Sequence, residues 1–163
     1  MRWLWIDKFV EFESGKRAAA IKNLTLAEDH LHDHFPGFPV MPASLMIEGM
    51  AQTAGILVGE ARDFKEKVIL AKVKKAQFEG MARPGQQLRY EAKIESISDE
   101  AAMTSGTIYC DGKQMGKVEL MFSHIDQNIS GLNFPKENFV FTEEFKSLLS
   151  TYQLCGSKKG NNS

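Results

Sequence analysis

Two side chains in this sequence combine a reactive type with a setting that holds it in place: His34 and Glu48. His34 stands in His34-Phe35-Pro36-Gly37, where Pro36 and Pro39 restrict the backbone and Gly37 permits a sharp reversal, so the imidazole is held in a defined pose. A neutral histidine accepts a proton near pH 7 without first losing one, which is what abstraction next to a carbonyl requires. Glu48 lies in a run, Ala43 to Val58, that is apolar nearly all round, with Ser44, Glu48 and Gln52 spaced four apart as a polar stripe along one helical face. A carboxylate there is costly unless it is paired, and core glutamates are rare. A structural ion pair or an exposed helix edge explains Glu48 equally well from the helix alone; the loop just before it is what favours chemistry. The amino end of the helix adds a third element, because the N–H groups of Ala43 and its neighbours lack intrahelical acceptors and sit at the positive end of the macrodipole, suited to an oxyanion. His30, His32 and His124 carry the ordinary surface or core reading.

The elements that must position these groups are readable from period and punctuation. Residues 3–12 alternate apolar and polar, Glu13-Ser14-Gly15-Lys16 supplies a turn, and residues 17–24 resume extended character, which predicts a hairpin. Residues 27–42 crowd histidines, prolines and a glycine into a stretch that reads as a shaped loop, neither regular helix nor strand. Pro42 reads as the first helical position. Strand-like runs follow at residues 67–74, 87–98, 103–110 and 114–123, separated by Arg83-Pro84-Gly85, Asp99-Glu100 and Asp111-Gly112. The prediction is an α+β domain, an antiparallel sheet wrapped around a long central buried helix, over residues 1–124. Residues 125–154 form an appendage on the same domain, with a short helix over 142–152 announced by Thr142 before Glu143 and Glu144, and residues 155–163 form a polar, disordered tail.

With 163 residues and a formal net charge of −1, the chain suits one domain and offers no electrostatic reason to bind nucleic acid or an anionic membrane. Cys110 and Cys155 have no metal-ligand or disulfide-framework spacing. The apolar start, Trp3 to Ile6, is too short for a signal or a span, so the expectation is a cytoplasmic protein.

The run from His34 to Gln52 resembles the signature of the FabZ-type 3-hydroxyacyl-acyl-carrier-protein dehydratases, a His-Phe-Pro-Gly loop leading into a helix with Glu and Ala-Gln. The similarity extends upstream to Ile6-Asp7-Lys8 and Ala20-Ile21-Lys22-Asn23, and downstream to Lys75-Ala76-Gln77-Phe78, Arg83-Pro84-Gly85 and Val118-Glu119-Leu120-Met121. It implies a hot-dog fold, His34 and Glu48 as the catalytic pair meeting across a dimer interface, and removal of water from a carrier-bound 3-hydroxyacyl thioester. Ala43, Gly37, Gln52, Pro42 and Phe35 then fall at the oxyanion and substrate-binding positions. Met41, Met46, Met50, Phe78 and Met81 are expected to shape the acyl tunnel. Three residues depart from the family pattern: Asp33 and Ala43 replace glycines, and Gly49 replaces an alanine. The implied assembly is a homodimer or a trimer of dimers, taking acyl-carrier-protein or acyl-CoA thioesters, and Lys72, Lys74, Lys75 and Arg83 are candidates to meet an acidic carrier. No metal or cofactor is called for, since acid, base and oxyanion donors all belong to the polypeptide. A hot-dog thioesterase and a non-catalytic acyl-binding or scaffold protein are the competing readings.

Overall fold

The computed structural model describes residues 3–125 and 133–152. Its elements are β1 (Lys8–Glu13), β2 (Arg17–Asn23), α1 (His30–Asp33), α2 (Ala43–Glu60), β3 (Val68–Phe78), β4 (Gln87–Ile97), β5 (Ala101–Cys110), β6 (Lys113–His124) and α3 (Glu143–Tyr152). The six strands form one antiparallel sheet in the order β1-β2-β4-β5-β6-β3. Alternation makes one face of that sheet apolar. Leu88, Tyr90 and Ala92 on β4, Ala102 and Ile108 on β5, and Val118, Leu120 and Phe122 on β6 are buried, while Arg89, between Leu88 and Tyr90, bonds Glu11 and Glu91 on the opposite face. The sheet curls around α2 with this inner face, the hot-dog arrangement. The nearly all-round apolarity of α2 follows from that enclosure: from Gly49 to Gly59 every residue but Gln52 is buried.

Within α2 three glycines, Gly49, Gly55 and Gly59, each cost about 1 kcal/mol of helix propensity relative to alanine. Each lies under an aromatic ring. A Cβ added at Gly49 would stand 2.5 Å from Tyr90 Cζ, one at Gly55 3.2 Å from Phe122 Cε1, and one at Gly59 2.4 Å from Phe141 Cζ. The glycines thus let three rings from β4, β6 and the segment before α3 approach the helix backbone more closely than any side chain allows, in a core dense enough that such gaps matter.

Three local expectations are corrected. The stretch 27–42 is not wholly irregular: His30–Asp33 makes one helical turn, anchored by the buried Leu31 and closed by amides of Leu31 and His32 on the carbonyls of Glu28 and Asp29. Short polar residues ahead of it, with Glu28 Oε1 accepting from the Thr25 amide, favour that turn. Pro42 caps α2 rather than starting it, with φ −58° and ψ 137°; its extended ψ places it outside the helix while its carbonyl accepts from Leu45 and Met46. Strand β3 also runs on to Phe78, because its antiparallel partner β6 continues to offer backbone groups as far as Gly116. The predicted short helix appears as α3, with Thr142 Oγ1 accepting from the Phe145 amide at 3.2 Å. The tail predicted at 155–163 lies outside the described residues. Among the described residues no helix is long and apolar enough to cross a membrane.

Placing a methyl group under Tyr90 should force ring or backbone to move. Gly49→Ala is expected to lower unfolding stability by about 1–3 kcal/mol in urea denaturation, and Gly49→Ala combined with Tyr90→Val to recover part of that loss; an equally stable single variant would contradict the packing argument.

Candidate active site

The loop that presents His34 is tied at several points. The amides of Phe35 and Phe38 donate to each other's carbonyls at 3.0 and 2.9 Å, the Val40 amide donates to the His34 carbonyl at 2.9 Å, and the Met41 amide donates to Ala82 beyond β3. Gly37 turns this loop with φ +78°, a conformation glycine adopts without a Cβ penalty. Phe38 is covered by the Arg83 guanidinium, 4.1 Å from the ring centroid. Arg83 therefore braces the loop; Lys72, Lys74 and Lys75 are exposed on β3.

His34 is half-buried, with its ring stacked on Phe35 at 4.3 Å between centroids. Its Nδ1 lies 2.9 Å from the Val40 carbonyl oxygen. A carbonyl only accepts, so Nδ1 carries the hydrogen of the neutral ring and Nε2 keeps its lone pair. The loop thereby selects the tautomer a general base needs.

Glu48 projects from the second turn of α2 and is half-buried. Both donors it receives reach the same oxygen: the Trp3 indole N–H and the Gln52 amide each lie 3.0 Å from Oε1. Gln52 is itself oriented, because its Oε1 accepts from the Trp5 amide at 2.8 Å, which turns its NH2 toward Glu48 and the Trp3 carbonyl. With both hydrogen bonds on Oε1, Oε2 has no donor among the described residues. Neither Trp3 nor Trp5 is marked in the sequence as a neighbour of Glu48. Their only signal there is alternation in the first strand-like run, which does not tell that β1's leading residues cross over α2.

Glu48 and Gln52 open onto a cavity of about 350 Å³ whose remaining wall is apolar, with Gly55 and Ile56 from α2, Leu70 from β3 and Phe122 from β6. His34 does not line this cavity. The structure thus brings Glu48 and Gln52 together, brings His34, Phe35 and Gly37 together, and leaves the two groups in separate surroundings within one chain. Ala43 is exposed at the α2 terminus, where Leu45 and Met46 turn onto Pro42 and the amides of Ala43 and Ser44 precede every intrahelical acceptor. Met41, Met46 and Met50 are buried in the core, Met50 with its sulfur against Gly106; Phe78 packs on the core's edge and Met81 is 66% exposed. None of these five lines the Glu48 cavity. Among the described residues there is no group of three or more side chains suited to hold a metal.

Behind the loop lies a polar cluster. Asp7 accepts from the Asn23 amide and side chain at 2.7 and 3.0 Å, and Lys22 bridges Asp7 and Glu28 at 3.4 and 3.2 Å. His30 sits against Glu28 and edge-on to Trp5. Burial pushes the His30 pKa down, aided by Lys22 and His34 and opposed by Glu28 and Asp29.

A scaffold of this kind, a hot-dog sheet holding a carboxylate on its enclosed helix and a histidine on the preceding loop, defines a class that the comparisons with known proteins narrow. A FabA-like domain model matches residues 1–119. The 3-hydroxyacyl-[acyl-carrier-protein] dehydratase FabZ of Caldanaerobacter subterraneus subsp. tengcongensis is 39% identical over 121 residues, covering 74% of this chain and 86% of that one. The protein of the same name from Clostridium acetobutylicum is 37% identical over 120 residues, covering 73% and 85%. Among solved structures, the dehydratase heterocomplex ApeI:P of Xenorhabdus doucetiae aligns with TM-score 0.61 at 14% identity over 75% of this chain and 83% of that chain. A Streptococcus mutans protein bound to acetyl CoA aligns with TM-score 0.59 at 11% identity over 72% and 86%. The chain belongs to the FabA-like family, among the FabZ-type dehydratases.

His30 supplies a test of the cluster. Since its folded pKa lies below the ordinary value of about 6.5, unfolding takes up a proton under acid conditions, so its contribution to stability is present above that pH and declines as pH falls below it. His30→Gln is expected to flatten the stability profile on the acid side of pH 6.5, measured by denaturant unfolding at a series of pH values.

Proposed function

We propose that this protein dehydrates 3-hydroxyacyl thioesters, carried on an acyl carrier protein or coenzyme A, to trans-2-enoyl thioesters in fatty-acid or related acyl-chain biosynthesis. The observation that carries the reading is the bond between His34 Nδ1 and the Val40 carbonyl, which in the neutral ring leaves Nε2 with its lone pair to accept a proton. His34 Nε2 takes the proton from the α carbon. The electron pair of that C–H bond becomes the α–β double bond, and the bond from the β carbon to its hydroxyl breaks as Glu48, in its protonated form, delivers hydrogen from Oε2 to the leaving oxygen. Water departs, and the proton on His34 returns to Glu48 through solvent. Amides at the start of α2, near Ala43 and Pro42, hold the thioester oxygen as negative charge grows on it, with Gly37 and Phe35 shaping the approach. The reverse hydration uses the same groups.

His34 and Glu48 line different surroundings of one chain, so the pair is assembled between two copies, His34 of one with Glu48 of the other. Supporting this, β3 is an edge strand whose Leu70 and Val73 are exposed and available to a second copy. The working unit is a homodimer, or a trimer of such dimers, acting in the cytoplasm. Residues 1–124 carry the reaction and 125–154 are an addition to it. The thioesterase reading is weaker, because a carboxylate activating water needs no base of fixed tautomer on a facing loop.

Following enoyl absorbance and free thiol separately with 3-hydroxybutyryl and longer thioesters tests the assignment. Enoyl product without thiol release is expected, and His34→Ala and Glu48→Gln should each reduce the rate by about 100-fold or more; full rate in either variant, or thiol as the product, would overturn it. Trp3→Phe removes one donor to Glu48 Oε1 and is expected to lower kcat roughly three- to ten-fold with little change in KM, since a single hydrogen bond at a half-exposed site is lost.

A further inference from the structure

Beyond residue 119, where the family model ends, the chain continues into a segment that reaches back to the site. Asn138 pins it: its side-chain NH2 donates to the carbonyls of Phe64 and Glu66 at 3.2 and 3.3 Å, while its oxygen accepts from the amides of Val140 and Phe141 at 3.0 and 2.9 Å. Lys67 Nζ adds a bond to the Lys136 carbonyl at 3.0 Å. These contacts deliver Phe141, 4% exposed, onto Gly59, with its ring against Phe64 at 5.1 Å and Phe145 at 5.7 Å. Val140, Phe141 and Phe145 then form part of the wall of the same cavity that Glu48 and Gln52 line.

The geometry gives that cavity a direction. Gly59, which seats Phe141, lies three turns along α2 from Glu48, about 16 Å at the helical rise of 1.5 Å per residue. At one end stands the carboxylate with its two donors. Between them the wall is formed by Gly55 and Ile56 of α2, with the Phe122 ring packed over Gly55. At the other stand aromatic rings held by a segment outside the matched part of the family. This wall is apolar over the length that would lead an acyl chain, its β hydroxyl at Glu48, toward Phe141 and Phe145.

We propose that Phe141 and Phe145 are chain-length-determining residues: the segment before α3, with the first turn of α3, forms the far wall of the acyl site and sets the longest 3-hydroxyacyl chain the enzyme accepts. The proposal rests on Glu48 being the acid of the dehydration described above. It assigns the added segment a role in substrate selection, exerted through direct contact with the distal carbons.

The experiment measures kcat/KM for enoyl formation by the full-length protein and its variants on 3-hydroxybutyryl, 3-hydroxydecanoyl and 3-hydroxypalmitoyl thioesters, and reads the ratio of long-chain to short-chain values. Phe145→Ala, at a partly buried position, is expected to raise the palmitoyl-to-butyryl ratio about ten-fold or more, and Phe145→Trp to lower the decanoyl-to-butyryl ratio by a similar factor, a range typical of discrimination by one or a few methylenes in an apolar pocket. Phe141→Ala should act in the same direction as Phe145→Ala; where it fails to fold, the opposite responses of the two Phe145 variants still decide. Ratios for both Phe145 variants that match the unsubstituted enzyme would overturn the proposal while leaving the dehydratase reading intact. An unsubstituted protein that forms no enoyl product at any length would overturn both.

Discussion

Everything at this site depends on keeping one carboxylate on a helix that a sheet encloses. Taking a carboxyl group out of bulk water is unfavourable by several kcal/mol unless donors replace the lost hydration. Glu48 meets that requirement with two neutral donors on a single oxygen, the Trp3 indole and the Gln52 amide. Neutral donors matter. An indole and an amide hold the side chain in position without bringing a second charge beside it, and both leave Oε2 without a donor among the described residues. The same economy appears at His34, where one backbone carbonyl, presented by a loop reversal at Gly37, chooses which ring nitrogen is basic.

Around these two groups the fold is built to be rigid where chemistry needs it. The cluster of Asp7, Lys22, Asn23 and Glu28 joins the start of β1 to the end of β2 and to the turn at α1, so the loop leading to His34 begins from a fixed point. Arg83, stacked on Phe38, and the amide of Met41 on Ala82 fix its other end. The residue that departs from the family pattern after Glu48 has a packing reason: Gly49 leaves the space that the Tyr90 ring occupies, and an alanine there needs a smaller neighbour on β4. Burial also holds the Tyr90 hydroxyl in its protonated form, its pKa well above the usual tyrosine range, so this ring adds no charge beneath α2.

Much of the fold is legible in the sequence because it rests on short-range pattern. The strand runs alternate, the turns carry Asp111-Gly112 and Ser14-Gly15, and the α2 stretch is too long and too apolar to be anything but an enclosed helix. His34 and Glu48 stand out for the same reason, as reactive types in restricted settings. What is not legible depends on pairs distant in sequence. Trp3 meets Glu48 across 45 positions, and no local pattern announces that contact. The methionines illustrate the converse: Met46 and Met50 look suited to line an adaptable tunnel, yet on α2 they point into the core between helix and sheet, and it is Gly55 and Ile56, on the side of the helix shared with Gln52, that face the cavity. Helical phase, 100° per residue, separates those two sides, and an all-round apolar helix gives no hint of which side is which.

The glycines of α2 explain why an addition to the carboxyl-terminal side of this domain can reach the cavity beside Glu48 at all. A helix of 18 residues with alanines in place of its glycines would be more stable in isolation, but its surface at Gly59 would exclude the Phe141 ring, whose Cζ lies 2.4 Å from where a Cβ would stand. With glycine there, the ring sinks between α2 and Phe64, and the segment it belongs to becomes a wall of the cavity rather than a covering over the outside of the domain. Asn138 makes that insertion specific, since its single side chain satisfies two carbonyls after α2 and two amides of its own segment. Loss of that asparagine would leave four backbone groups to find water in a part-buried place, and Phe141 would lose its approach to Gly59. The aromatic part of the cavity wall therefore depends on a polar clamp outside it as much as on the rings themselves.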